Sequence, residues 1–159
     1  MTRSTATPSF ILVHSQLREN IGAAARVMAN FGLSDLVLVA PRDEWPNPKA
    51  ISMAVGSPVL DNARLVDDLT AGIGDLTRVY ATTARPRGME KPVMTAREAM
   101  ADVRAAIAAG ETVGILFGGE KGGLLNDAVA LADVIITLPV DRGFSSLNLG
   151  QAVGILAYE

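Results

Sequence analysis

The 159-residue sequence has no cysteine, one histidine, one tryptophan, and aromatic residues at only 4% of positions. The lack of thiols excludes disulfides, thiolate catalysis and cysteine-based metal sites. A single His14 excludes a multi-histidine metal centre, so no metal ligand set is assigned. Long apolar runs are missing too, and no stretch is long enough to cross a bilayer. Met1 to Ser9 holds one arginine and no apolar segment, unlike a secretory signal. A cytoplasmic protein is the expectation. A strong excess of positive charge is also lacking: 14 basic residues face 17 acidic ones, for a net charge of −3. A chain of this balance does not coat nucleic acid. An RNA ligand would need a local basic patch, a partner subunit, or further sequence.

What is present is an apolar, globular composition, with 49% hydrophobic and 19% charged residues. Its length favours one domain over residues 1–159. Short β-branched runs alternate with helical patterns. The expected strands are Phe10–Val13, Leu36–Ala40, Arg78–Thr82, Val113–Phe117 and Val134–Leu138. The expected helices are Ile21–Phe31, Ala50–Val55, Leu65–Ala71, Ala96–Ala109 and Leu147–Tyr158. Such alternation predicts an α/β fold, a mainly parallel sheet flanked by helices. Three loops follow predicted strands: Pro41–Lys49 with Trp45, Arg85–Pro92, and Gly118–Gly123. Ligands of open α/β sheets sit at the carboxyl ends of strands, so function is sought in these loops.

Asn20-Ile-Gly-Ala-Ala-Ala-Arg26 opens the first helix, and Gly32 is placed to end it. Asn20 reads as the N-cap. Ile21, Ala24, Met28 and Phe31 form the expected buried stripe, with Arg26 and Asn30 on another face. Gly22 and the alanines make the helix slim, so that a second backbone or a phosphate can approach. The bland alternative is an amphipathic helix with a solvated arginine.

Thr82-Thr83-Ala84-Arg85-Pro-Arg87 ends the third strand. Hydroxyls and backbone groups there suit polar cofactor atoms, and the guanidinium groups of Arg85 and Arg87 suit phosphates. Lys91 adds to this local basic cluster. Ile115-Leu-Phe-Gly118-Gly-Glu120-Lys-Gly-Gly-Leu124 is a strand and a glycine-rich turn that matches neither a P-loop nor a Gly-x-Gly-x-x-Gly fingerprint. Ser145, Ser146 and Asn148 stand at the start of the last helix; either serine can cap it, with Asn148 in the first turn. Each segment also reads as an ordinary polar turn or cap. Another class is a flavodoxin-like nucleotide module; it needs a phosphate-binding loop after the first strand, and His14 to Glu19 contains no glycine.

Taken in order, Asn20…Arg26, Phe117-Gly-Gly-Glu120-Lys-Gly-Gly-Leu124 and Ser146-Leu-Asn148 resemble the three motifs of the SpoU/TrmH branch of the SPOUT superfamily. The likeness covers nearly the whole chain, and the motifs are jointly specific. Asn30-Phe-Gly32, Thr82-Thr-Ala-Arg85-Pro-Arg87 and Ser146-Leu-Asn148-Leu resemble the TrmJ-like group of tRNA enzymes. Lys121 stands where arginine is usual, Gly122 and Leu125 where threonine is frequent, and Leu17-Arg-Glu19 replaces Pro-Gly-like residues.

The resemblance implies a fold that patterning cannot reveal, the SPOUT α/β-knot with a C-terminal deep trefoil knot. It implies S-adenosylmethionine as methyl donor, held by Thr82, Thr83, Ala84, Gly118, Leu138, Ser145, Ser146 and Leu147. Arg26, Asn20, Glu120, Ser146 and Asn148 become the catalytic set, and Arg26, Arg85 and Arg87 the RNA-binding set. The implied reaction is 2′-O-methylation of tRNA at the pyrimidine two nucleotides 5′ of the anticodon, by a homodimer without a membrane anchor. Ribosomal RNA, the wobble nucleotide, or a non-catalytic knotted RNA- or cofactor-binding protein remain as alternatives. Relatives of this group continue past the position of Glu159, so a C-terminal extension is also expected to be absent here.

Overall fold

The computed structural model describes residues 7–15, 18–42, 47–83, 91–119, 124, 126–141 and 147–159. The first half runs β1 (Ser9–Val13), α1 (Arg18–Asn30), β2 (Leu36–Val39), α2 (Pro48–Ala54), α3 (Pro58–Asp61), β3 (Arg64–Val66) and α4 (Leu69–Ile73). The second half runs β4 (Arg78–Thr83), β5 (Val93–Thr95), α5 (Ala96–Ala108), β6 (Val113–Phe117), α6 (Asn126–Ala130), β7 (Val134–Thr137) and α7 (Leu149–Tyr158).

The seven strands lie in the order β3-β2-β1-β6-β4-β7-β5, and every ladder between them is parallel. A parallel sheet must be covered on both faces, and β1, β2 and β6 are buried along their whole length. Alternating side chains divide the core. Phe10, Leu12, Ile115 and Phe117 face the layer of α1, α5 and α7; Ile11, Val13, Val37 and Leu116 face the opposite side. Phe10 and Phe117 pack ring to ring, with centroids 5.3 Å apart.

All five expected strands form. The helix expected over Leu65–Ala71 does not. Leu65 and Val66 pair with β2 as an edge strand, and α4 starts only at Leu69, where the Asp68 side chain caps Ala71 N at 2.8 Å. The apolar residues there were compatible with either period, and the aspartate cap decides the boundary. The short strands β3 and β5 and the short helices α3 and α6 were not expected; elements of three to five residues carry too little periodicity to read.

The slim start of α1 serves helix packing. A methyl group on Gly22 would lie 2.3 Å from the Ala50 carbonyl oxygen, so α2 crosses against bare backbone. On the α7 side, Gly150 meets Ala23 and Gly154 meets Val27. Gly32 ends the helix at φ +78°. Ile21, Ala24 and Met28 are buried as expected, but Phe31 is 46% exposed and packs edge-on against Tyr158.

Away from the carboxyl edge, β4 is tied to α5. Arg78 donates through Nη2 to Asp102 Oδ2 at 2.8 Å and through Nε to the Tyr80 hydroxyl at 2.8 Å, and that hydroxyl donates to the same Asp102 oxygen. Among the described residues, no helix is long and apolar enough to cross a membrane.

Candidate active site

The carboxyl ends of β1, β6, β4 and β7 gather the described parts of the predicted site. Gly118 follows β6, Thr82 and Thr83 end β4, and Leu138 follows β7. Leu147 precedes α7 and packs on the core cluster that contains Leu138. The Leu138 N–H donates to the Thr83 carbonyl at 3.4 Å, carrying the β4–β7 ladder into the loop.

Gly119 explains why a glycine pair follows β6. A methyl group there would sit 2.6 Å from the His14 carbonyl oxygen, so only glycine lets the turn lie against the end of β1. His14 itself has φ +54° and Ala40, at the end of β2, has φ +41°. The left-handed region is unusual for non-glycine residues, and here it turns both strand ends at the same edge. Sequence reading assigned His14 no role, and the close approach of Gly119 left no signal beyond the glycine itself.

Asn20 and Asn148 meet at this edge. Asn20 does not cap α1, as expected from sequence; the helix starts at Arg18, which puts Asn20 inside its first turn. Nor do the described residues leave capping of α7 to a serine. Asn148 is the N-cap, with Oδ1 accepting from Gly150 N at 2.8 Å and Gln151 N at 3.3 Å. The same side chain then donates through Nδ2 to Asn20 Oδ1 at 3.1 Å. Asn20 is buried and Asn148 is exposed, so the pair spans from core to surface.

The cap settles the polarity of this pair. Two backbone N–H groups require an acceptor, so the oxygen of Asn148 must face the helix and its nitrogen must face Asn20. The oxygen of Asn20 is thereby engaged, and its nitrogen turns away as a donor. A donor of this kind can bind a hydroxyl or phosphate oxygen, but it cannot take a proton.

Arg26 is not brought to the pair. Six residues beyond Asn20, it stands about 9 Å along the helix axis and on another face. It is exposed and has no partner among the described residues. Its position, one turn on from Gly22 and Ala23, places it on the outer face of α1, between the sides covered by α2 and α7.

Two expectations change in chemical character. Thr82 is buried, and its hydroxyl donates to the Leu116 carbonyl at 2.9 Å. That hydroxyl fastens β4 to the end of β6 and has no hydrogen left for a cofactor. Lys91, expected in a basic patch, donates instead to the carbonyls of Val129, Ala130 and Ala132. Ala84, Arg85, Arg87, Glu120, Ser145, Ser146 and Trp45 lie outside the described residues.

Comparison with known proteins gives this edge a context. Residues 8–158 match the SpoU rRNA Methylase family. A relative from Pseudomonas aeruginosa (strain UCBPP-PA14), named tRNA (cytidine/uridine/adenosine-2'-O-)-methyltransferase TrmJ, is 38% identical over 94% of this chain and 58% of its own length. The chain thus spans under two thirds of that relative. The crystal structure of TrmJ from Z. mobilis ZM4 superimposes with a TM-score of 0.88 and 54% identity, over 96% of this chain and 68% of that one. AviRb from Streptomyces viridochromogenes, in complex with AdoMet, shares the fold at 17% identity with a TM-score of 0.76, over 99% of this chain and 57% of that one. A match across nearly every described element, together with relatives alike over 94% of the sequence, means that this chain belongs to the SpoU rRNA methylase family.

Proposed function

We propose that the chain is the methyltransferase domain, residues 1–159, of an S-adenosylmethionine-dependent tRNA ribose 2′-O-methyltransferase. The observation that carries this reading is the Asn20–Asn148 pair, which ties the first turn of α1 to the cap of α7 at the carboxyl edge of the sheet. The names of the relatives point to the same activity on tRNA. Within the TrmJ-like reading, the target is the pyrimidine two nucleotides 5′ of the anticodon. The wobble nucleotide is the second reading, favoured by a 28% identical structure, with a TM-score of 0.75, concerned with 2-OH methylation of C/U34 on tRNA.

The described edge fits the methyl donor. Leu138 and Leu147 offer apolar surface to an adenosine, and the turn at Gly118 offers backbone groups. Bound S-adenosylmethionine supplies an electrophilic methyl group, and no metal enters this reading. What remains for the protein is alignment of the ribose 2′-oxygen and removal of its proton. Asn20 donates a hydrogen bond to a substrate oxygen. Arg26 holds the neighbouring phosphate and aligns the ribose; a guanidinium group seldom gives up a proton, which disfavours a base role. Glu120 and Ser146 complete the catalytic set, Thr83, Ala84, Gly118 and Ser145 line the donor's pocket, and Arg85 and Arg87 hold RNA.

We further propose a homodimer in which Arg26 serves the pocket of the partner subunit. Its outward position, away from its own Asn20–Asn148 pair, supports this. The surrounding helices expose Phe31, Ile51, Met53, Ile155 and Tyr158, an apolar surface suited to a second copy. The knot belongs to the same reading. Strand β7 lies between β4 and β5, so the chain leaving it starts within the span of the β4–β5 connection. A cytoplasmic location follows from the tRNA substrate.

The test is incubation with labelled S-adenosylmethionine and total tRNA, followed by mapping of 2′-O-methylated nucleosides. A single modified anticodon-loop pyrimidine is expected. The absence of label from every tRNA would refute the reading.

A further inference from the structure

Lys49 stands in the first turn of α2, after the loop that follows β2. It is exposed, and its ammonium has no ion pair or hydrogen bond among the described residues. The helix gains nothing from a charge of this sign here. Asn47 Oδ1 already accepts from Lys49 N at 3.0 Å and from Ala50 N at 3.4 Å, and Pro48 has no N–H to satisfy. A cation in a first turn also opposes the helix dipole, where a carboxylate would be stabilising. A residue that breaks a local rule without a compensating contact points to function.

Packing fixes where that ammonium stands. Helix α2 crosses α1 at Gly22, where an added methyl would lie 2.3 Å from Ala50 O and 2.7 Å from Met53 Cβ. Farther on, the Ser57 hydroxyl donates to Ala25 O at 3.1 Å, so the two segments advance in the same sense. Lys49 is one turn before Met53 and lies on the side of the crossing toward the start of α1. Arg26, one turn past Gly22 and also exposed, lies on the other side. Two cations with no side-chain partner among the described residues thus flank one crossing. Glu19, the carboxylate in the first turn of α1, is met by Arg18 at 3.7 Å.

An RNA strand offers what such a pair takes, negative charge repeated along a chain. We propose that Lys49 binds a backbone phosphate of the tRNA, so that with Arg26 one strand is held on both sides of the α1–α2 crossing. The inference rests on the functional reading above, in which tRNA is the substrate and Arg26 holds a phosphate.

The test uses the full chain with Lys49→Ala, Lys49→Glu and Lys49→Arg variants. Fluorescence anisotropy gives tRNA affinity over a range of salt, and methyl transfer gives kcat and KM. Thermal denaturation reports folding, and light scattering reports the dimer. K49A is expected to weaken tRNA binding about three- to tenfold at low salt, the scale of one exposed charged hydrogen bond. The slope of log affinity against log salt falls by about one, the signature of one lost phosphate contact. K49E weakens binding further, K49R restores the slope, and the loss appears in KM rather than kcat. In an Arg26→Ala background, K49A costs the same factor again, because separate phosphate contacts add. The thermal midpoints of K49A and K49E stay at or above wild type, since the dipole is relieved. A wild-type salt slope in K49E would overturn the inference. So would a fall in midpoint that matches the loss of affinity, or a loss of dimer with the slope unchanged, which would assign the ammonium to a second copy. A wild-type chain that bound tRNA without methylating it would refute the activity and leave the salt slope as the test of Lys49. A chain that did neither would refute both.

Discussion

Asn148 donates to Asn20 at 3.1 Å, joining the cap of α7 to the first turn of α1 across 128 positions of sequence. Because Asn148 Oδ1 is held by Gly150 N and Gln151 N, the nitrogen of Asn20 is left to face outward. Asn148→Asp keeps the capping oxygen but removes the donor to Asn20. Its thermal stability should stay close to wild type, while methyl transfer falls about tenfold or more as the Asn20 amide turns over. Asn148→Ala loses the cap too and should be destabilised by about 1 kcal/mol. Full activity in a folded N148D would show that the polarity of the pair is irrelevant to the reaction.

Arg26 separates binding from chemistry. The exposed side chain supports nothing in its own fold, so Arg26→Ala should unfold at the wild-type temperature and bind S-adenosylmethionine normally by calorimetry. Methyl transfer should drop by about a hundredfold or more, the scale of losing a group that acts on the transition state. Normal turnover would remove Arg26 from the mechanism. With the dimer reading, mixing R26A with a chain defective only in its donor pocket should restore part of the activity.

Gly119 is a steric prediction. A methyl group there meets a backbone oxygen of His14, which cannot rotate away. Gly119→Ala should lower stability by about 1–3 kcal/mol, the usual cost of overpacking, and should weaken donor binding more than Gly32→Ala does. Gly32 lies far from this turn and has open space beside it, although its φ of +78° strains any side chain. Equal donor affinity in G119A and wild type would detach this turn from the pocket.

The Arg78–Tyr80–Asp102 group gives the fold a pH signature. Burial, with the hydrogen bond to Asp102, pushes the Tyr80 hydroxyl up to about 12 from its ordinary value near 10. A folded-state pKa above the unfolded one adds stability that is complete below pH 10 and vanishes as pH rises through 12. The bonds from Tyr80 and then Arg78 hold the Asp102 carboxyl below its usual range, so its contribution is present above that range and fades as pH falls through the lowered folded-state value. Denaturation midpoints of the wild type should therefore decline between pH 10 and 12. Tyr80→Phe should show a shallower decline; an unchanged slope would contradict the assignment.

The sequence made the middle of the sheet legible and left its rims obscure. Phe10–Val13 and Val113–Phe117 are unbroken apolar runs because parallel strands are buried on both faces, and such runs stand out. Arg64–Val66 and Val93–Thr95 sit at the two sheet edges, half exposed and three residues long, with too little pattern to betray them. The motif residues were legible as chemistry but not as geometry. Asn20 looks like a cap because an asparagine beside a helical run usually is one; that it instead sits within the first turn and receives the amide of Asn148 depends on how α7 packs across α1. The family resemblance places Thr82 at the methyl donor, and charge places Lys91 in a basic cluster; the hydrogen bonds of both side chains to backbone carbonyls are encoded in no local pattern.

The order of the strands also bears on how the chain is made. β1 and β2 leave the ribosome first, yet the other side of β1 is filled by β6, with Ser9 beside Gly114 and Leu12 beside Phe117. Until roughly a hundred further residues have been synthesised, the flank of β1 is an open template for unwanted pairing with another nascent chain. Parallel ladders between such distant segments also form slowly. Slow translation or a cool growth temperature should therefore shift the yield of this protein toward aggregates well before any loss of stability in the finished fold.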